Sequence, residues 1–162
     1  ALPISLISSI SHGIKISKNY KLSSRDSKFR INEIYNNYHD KIYKIIKREK
    51  INLIISLHSF NPYYKKKKRN IKFGILSNSD RRYSDIIIEI LSKKGYRVGD
   101  NQPYEGNLIE DTMYRHGLQN RILHTLIETR NDLLQSSKNI SDIASVLFQV
   151  IKSSKQKVEK YL

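Results

Sequence analysis

"INLIISLHSFNP", residues 51–62, passes without a break from an apolar run into a histidine and then a proline turn. Residues 51–57 have the length of one strand, and their unbroken apolar run is the pattern of a strand covered on both faces of an α/β sheet. That reading puts His58 at the strand's carboxyl end, where the sites of such sheets gather.

Upstream, Ile31, Ile34, Tyr35, Tyr38, Ile42, Ile45 and Ile46 recur at three- and four-residue spacing. This predicts an amphipathic helix over residues 24–49, capped by Ser23 or Ser24. Downstream, residues 59–70 read as a loop containing "YYKKKKR", and "IKFGIL" (71–76) as a second strand. Asp80 is a candidate cap for the next helix, whose stripe of Tyr83, Ile86, Ile87, Ile90 and Leu91 runs out near Gly95. "YRV" is a brief strand, "GDNQPYEGN" (99–107) an irregular loop, and a short helix ends near Gly117. "ILHTLIE" (122–128) is a further strand with Glu128 at its end, and Ile143, Val146, Leu147, Val150 and Ile151 mark a last helix over residues 141–160. There is no internal repeat. Strands alternating with helices predict an α/β fold with a mixed, mostly parallel sheet flanked by helices; it is mixed because the stretch after His58 holds no crossover helix. At 162 residues the chain is expected to form one domain.

Thirty Lys and Arg against 15 Asp and Glu leave a formal charge of +15, which favours anionic partners. "KKKKR" (65–69), beside Tyr63 and Tyr64, could track a phosphate backbone while the rings stack on bases, so a basic nucleic-acid-binding module is one alternative. The bland reading is a solvated loop in a protein whose excess of Lys, Ile, Asn and Tyr reflects an A/T-rich coding sequence. Cys is absent, so disulfides and thiolate metal sites are excluded, and any metal falls to the five His and the carboxylates. No apolar stretch approaches the roughly 20 residues of a membrane span, and the first residues lack a secretory layout. The expectation is a soluble, cytoplasmic protein. Phosphate-binding glycine fingerprints and a Gly-x-Ser-x-Gly elbow are both missing.

"SLHSFNP", "GILSN", "GDNQPYEGN", "YRHG" and "LIETRNDLL" occur in the order and at about the spacing found in the C-terminal part of the N-formylglutamate amidohydrolase-like family, which this chain resembles from about residue 11 to 134. That family is similar in turn to the zinc carboxypeptidases, so the resemblance implies a phosphorylase/hydrolase-like sheet. It also implies a zinc-dependent hydrolase acting on a small N-acyl amino acid such as N-formylglutamate. Carried over position by position, His58 corresponds to the last zinc ligand, Glu128 to the catalytic carboxylate and Arg130 to the arginine of the Glu-x-Arg motif. Arg130, Asn101 and Tyr104 are the candidates for holding substrate or the developing oxyanion, since Arg binds carboxylate through two parallel hydrogen bonds. The chemistry suits these types: neutral imidazole binds zinc, and a carboxylate beside the metal moves the proton of its bound water.

The family's first two zinc ligands, a His and a carboxylate, and its Asn-Arg pair have no match before His58; His12, in "SISHGI", aligns beyond them. Three explanations stand: a truncated or split enzyme, a second chain that completes the site, or a degenerate relative without hydrolase activity. Truncation is the expectation here, with a complementing N-terminal chain as a candidate partner. His39 and His116 fall where the family tends to have histidine, and are read as hydrogen-bonding on helix surfaces; His124, inside a strand, is read as a packing residue.

Overall fold

The computed structural model describes residues 10–11, 14–15 and 23–161, and His12 lies outside the described residues. A four-stranded sheet organises the chain, in the order β3 (Leu53–Phe60), β8 (Leu123–Arg130), β6 (Phe73–Leu76), β7 (Val98–Asp100). β3 runs parallel to β8 and β6 parallel to β7, while β6 and β8 are antiparallel, so the sheet is mixed. Two small antiparallel pairs lie outside it: β1 (Ile10–Ser11) with β2 (Ile14–Lys15), and β4 (Tyr63–Tyr64) with β5 (Lys67–Lys68).

Side chains alternate across a sheet, and partners in register point to the same side. One face of the sheet carries Leu123, Thr125 and Ile127 with Phe73 and Ile75. Against it pack α3 (Arg82–Lys93) and α4 (Ser137–Val158), which contribute Tyr83, Ile86, Ile87, Ile90, Leu91, Leu147 and Val150 to the main core. Two polar pairs are satisfied inside this layer: Ser84 Oγ lies 2.8 Å from Thr125 Oγ1, and Tyr83 Oη 2.9 Å from Ser154 Oγ. Buried hydroxyls require such partners.

The other face carries His124, Leu126, Glu128 and Arg130. It is covered by the irregular 101–112 segment and a π-helical turn, Met113–Leu118, whose Gly117 sits against the His124 ring. On this segment rests the long N-terminal helix, built from α1 (Ser24–Phe29), a π-helical stretch Arg30–Asn36 and α2 (Asn37–Glu49). Ser23 caps it, its hydroxyl accepting from the Asp26 N–H. Tyr35 Oη donates to the Glu110 carbonyl at 2.8 Å and Tyr38 Oη lies 3.1 Å from Thr112 Oγ1.

Several boundaries differ from the sequence reading. β3 extends to Phe60 and β8 to Arg130, so His58 and Glu128 sit two residues inside their strands. Among the described residues β3 is an edge strand of this sheet, and Leu57 is 60% exposed, which corrects the expectation of cover on both faces. Periodicity cannot tell a central strand from an edge strand whose chain neighbours are all apolar. Part of the 59–70 loop folds into the β4–β5 hairpin, with Lys65 and Lys66 both in the left-handed region that a two-residue hairpin turn requires. α3 starts after Arg81, yet Asp80 still accepts from the Arg82 N–H at 3.2 Å. α4 starts four residues earlier than expected because Ser136 accepts from the Asn139 N–H. No described helix is long and apolar enough to cross a membrane.

Candidate active site

The register of β3 against β8 pairs His58 directly with Glu128, which brings two residues seventy positions apart in sequence to one face of the sheet. His58 Nδ1 lies 4.0 Å from Glu128 Oε1. That is beyond hydrogen-bonding distance and leaves room for a single water-sized atom to touch both groups. Glu128 is 5% exposed, and its Oε2 is buried with no hydrogen-bond partner. Burial pushes its carboxyl up to about 7, against the lowering influence of Arg69. Burial also lowers the His58 imidazole below its ordinary value. Both shifts favour the neutral forms, so at neutral pH the pair is no ion pair despite its spacing.

The same row of the sheet continues from Glu128 to Gly74 on β6 and Gly99 on β7. The missing side chains are required: a Cβ at Gly74 would collide with the Gln102 backbone carbonyl, and one at Gly99 would come within 2.7 Å of Gln102 Cβ. Two glycines side by side thus let the "DNQPY" segment lie flat on the sheet beside Glu128. Asn101 anchors that segment; its N–H donates to the Ile75 carbonyl at 2.9 Å and its Oδ1 accepts from the Ser77 N–H at 2.8 Å.

Two residues further along both strands, Phe60 pairs with Arg130 on the same face. Arg130 is buried. Its Nε donates to Asp132 at 2.7 Å, and its Nη1 to the carbonyls of Arg69 at 2.8 Å and Ile71 at 3.3 Å. These bonds tie the strand end to the segment that carries Arg69. The Arg69 guanidinium stands over three rings, 5.7 Å from the centroid of Phe60 and 5.4 Å from those of both Tyr64 and Tyr104.

Of the five residues singled out from sequence, His58 and Glu128 face each other at 4.0 Å, Tyr104 lies under the Arg69 guanidinium, and Arg130 and Asn101 secure the segments beside them. From sequence Arg69 reads only as the last letter of a basic run that could track a phosphate backbone, not as a charged neighbour of Glu128. The weak signal was its position where that run returns to the sheet. His39 and His116 are not on helix surfaces: both are buried, with His39 Nδ1 2.7 Å from His116 Nε2. The sequence could not show this, because the partners come from helices 77 residues apart. His124 packs in the strand as expected, its Nδ1 2.7 Å from the Ile122 carbonyl and its Nε2 2.9 Å from Asn78 Nδ2.

The sequence profile of the N-formylglutamate amidohydrolase family matches residues 5–135. The chain belongs to the N-formylglutamate amidohydrolase family. Among solved structures it is similar to the gene product Atu2144 of Agrobacterium tumefaciens, with a TM-score of 0.81 and 26% identity, over 92% of this chain and 61% of that one. It is also similar to the N-formylglutamate amidohydrolase of Ralstonia eutropha JMP134, with a TM-score of 0.50 and 22% identity over 70% of this chain and 45% of that one, a likeness of fold alone. The chain therefore spans about three fifths of the first protein's length and under half of the second's. A comparison with curated proteins finds no match.

Membership in the amidohydrolase family raises the question of zinc. Among the described residues no group of three or more His, Cys, Asp or Glu is arranged to hold a metal ion. His58 and Glu128 supply two donors, whereas a catalytic zinc takes three protein ligands, so the described donor set does not by itself fit a zinc shell.

Proposed function

We propose that the chain carries the proton-transfer half of an amidohydrolase site, which cleaves the amide of a small N-acyl amino acid of the N-formylglutamate type. The observation that carries this reading is the His58–Glu128 register pair: a neutral imidazole 4.0 Å from a buried carboxyl whose second oxygen has no partner. A carboxyl near 7 is matched to moving a proton both ways at neutral pH. In its ionised form Glu128 takes a proton from a water held between the two side chains, and the water oxygen attacks the amide carbonyl carbon. The same proton passes to the departing nitrogen as the C–N bond breaks, giving a carboxylic acid and a free amine and returning Glu128 to its starting form. His58 orients the water.

The zinc expectation belongs to this proposal through His58 alone. Because the described donors do not complete a zinc shell, metal retained by this chain is expected by mass spectrometry to be below one per chain and to fall further in His58→Ala; a metal content indifferent to His58 would remove that assignment. For the reaction, release of amine from N-formylglutamate is expected to fall at least about 100-fold in Glu128→Gln, the usual size of a lost general base. An undiminished rate in that variant would refute the role of Glu128.

A further inference from the structure

The β4–β5 hairpin carries four lysines in a row, Lys65 to Lys68, directly after Tyr63 and Tyr64, and the reaction uses none of them. All six residues are exposed, the two tyrosines at 54% and 49%. We propose that this hairpin is a binding site for single-stranded nucleic acid, whose phosphates lie along the four ammonium groups and whose bases stack on the two tyrosine rings. The site needs neither His58 nor Glu128, so it stands or falls separately from the amidohydrolase reading.

The first support is charge that the fold leaves unneutralised. Between Glu49 and Asp80 the chain has no Asp or Glu. Several cations elsewhere are paired: Arg81 with Asp85 and Asp100, Arg82 with Asp80, and Lys93 and Lys157 with Glu89. Among the described residues none of Lys65 to Lys68 makes an ion pair, and Lys65 Nζ instead lies 5.4 Å from the centroid of the Tyr64 ring. Adjacent like charges repel, and a phosphate backbone laid along them removes that repulsion while releasing its own condensed counterions.

The turn gives the second. Lys65 and Lys66 lie in the left-handed region at φ 46° and 65°, where a two-residue hairpin turn favours Asn and Gly. Lysine brings no advantage to folding at those positions, and a charged side chain held at a disfavoured φ points to a use for the charge. The third is the order of the ribbon. Register pairs Tyr63 with Lys68 and Tyr64 with Lys67, so each face of the hairpin sets one ring beside one ammonium group. On its face, Tyr64 also lines a groove of about 500 Å³ together with Arg69, Asn70, Gln102, Pro103 and Tyr104. A ring accepts the flat face of any base and a lysine any phosphate, which suits a strand with splayed bases rather than a duplex that stacks them inside. A bilayer suits the hairpin less well, because its turn carries lysines and no apolar side chain to insert. Arg69 lies within the field of Glu128 and is not counted among the phosphate contacts.

Fluorescence anisotropy of a labelled single-stranded oligonucleotide of about 16 nucleotides, made as DNA and as RNA, measures binding to the whole chain across a salt series. Binding is expected at low salt, with an affinity that falls steeply as salt rises. Replacing Lys65 to Lys68 together by Gln should make the log–log salt slope shallower by roughly 3, at about 0.7 per phosphate contact. Replacing four exposed lysines elsewhere, Lys41, Lys44, Lys138 and Lys152, removes the same charge and should leave the slope nearly as it was. Tyr63→Ser is expected to weaken binding about 5- to 150-fold, whereas Tyr63→Phe, which keeps the ring, should bind like the wild type. Circular dichroism checks that each variant is folded. Either oligonucleotide bound with this pattern upholds the site, and the tighter of the two names the sugar. No binding at low salt, equal losses from the two lysine sets, or wild-type affinity in Tyr63→Ser overturns the proposal. So does tighter binding to vesicles containing phosphatidylserine than to either oligonucleotide, which would make the hairpin a membrane contact.

Discussion

Glu128 pays for its position in stability: its ordinary value is 4.5 and the fold holds it near 7. A carboxyl raised by folding binds its proton more tightly in the native state, so its contribution is complete below about 4.5 and is lost as pH rises to about 7. Above that range the native state carries a buried, poorly solvated charge. Glu128→Gln removes the charge at nearly constant shape. The variant is expected to be more stable than the wild type at pH 8, by about 1–3 kcal/mol, and indistinguishable from it at pH 4.5. Thermal melts at the two pH values check this, and a variant less stable at pH 8 would mean the carboxylate is better solvated than its surroundings indicate. Such a gain on deleting a site residue is the mark of a group kept for chemistry. The sequence singled out this residue through the resemblance carried by "LIETRND", but a carboxylate after an apolar strand looks the same whether solvated or buried. Only its cover sets its proton affinity.

At the scale of elements, the site depends on the two glycines that allow a loop to lie on the sheet. Gly74→Ala places a methyl group against the Gln102 backbone, which cannot swing aside as a side chain would. The expected cost is about 1–3 kcal/mol or somewhat more, together with a displaced 101–104 segment and weakened substrate binding. Urea unfolding and a KM measurement check both, and an unperturbed protein would show that the loop is not seated as described. The helices were largely legible in sequence because each buries one stripe, and a stripe has a period. α3 follows its apolar spacing closely, whereas in the helix over residues 24–49 Tyr35 and Ile46 are buried but Ile34, Tyr38 and Ile45 of the same stripe are exposed. Strand ends were less legible, since "HSF" and "TR" continue their ladders through backbone hydrogen bonds that side-chain hydropathy does not record. The β4–β5 hairpin was hidden for a related reason: its turn uses Lys65 and Lys66 in a conformation that Asn and Gly usually mark.

Across the whole molecule, the seam between the N-terminal helix and the sheet's covering segment is held by the buried His39–His116 contact. Tyr35 and Tyr38 meet the His39 ring edge-on, Arg115 and Asp40 are its charged neighbours, and Glu110 and Thr112 bond to the two tyrosines. Burial, followed by the fields of Arg115 and His116, lowers His39 from 6.5 to about 4, and burial lowers His58 and His116 as well. Groups depressed by folding contribute stability above about 6.5 and lose it as pH falls through their native values. Glu128, and Asp111, which burial also raises, act in the opposite sense. His39, held near 4, works against Glu128, held near 7, across the range from about 4.5 to 6.5. The stability lost on acidification from about pH 6.5 to 4 is therefore expected to be smaller in His39→Gln than in the wild type, an acid limb flattened by the substitution. Melts from pH 4 to 8 test this, and a wild-type acid limb unchanged in the variant would detach the seam from the pH response.

By itself, the order of apolar periods and short motifs determined the α/β class, the mixed sheet and the family, and it pointed to His58 and Glu128 as candidates. It could do so because periodicity and local chemistry are written along the chain. The tertiary structure alone decided that His58 and Glu128 face each other in register, that Arg69 stands in the groove beside them, that Arg130 and Asn101 brace the walls, and that His39 and His116 share a buried seam. Those outcomes depend on which strands pair and which faces are covered, and no single segment of the chain carries that information.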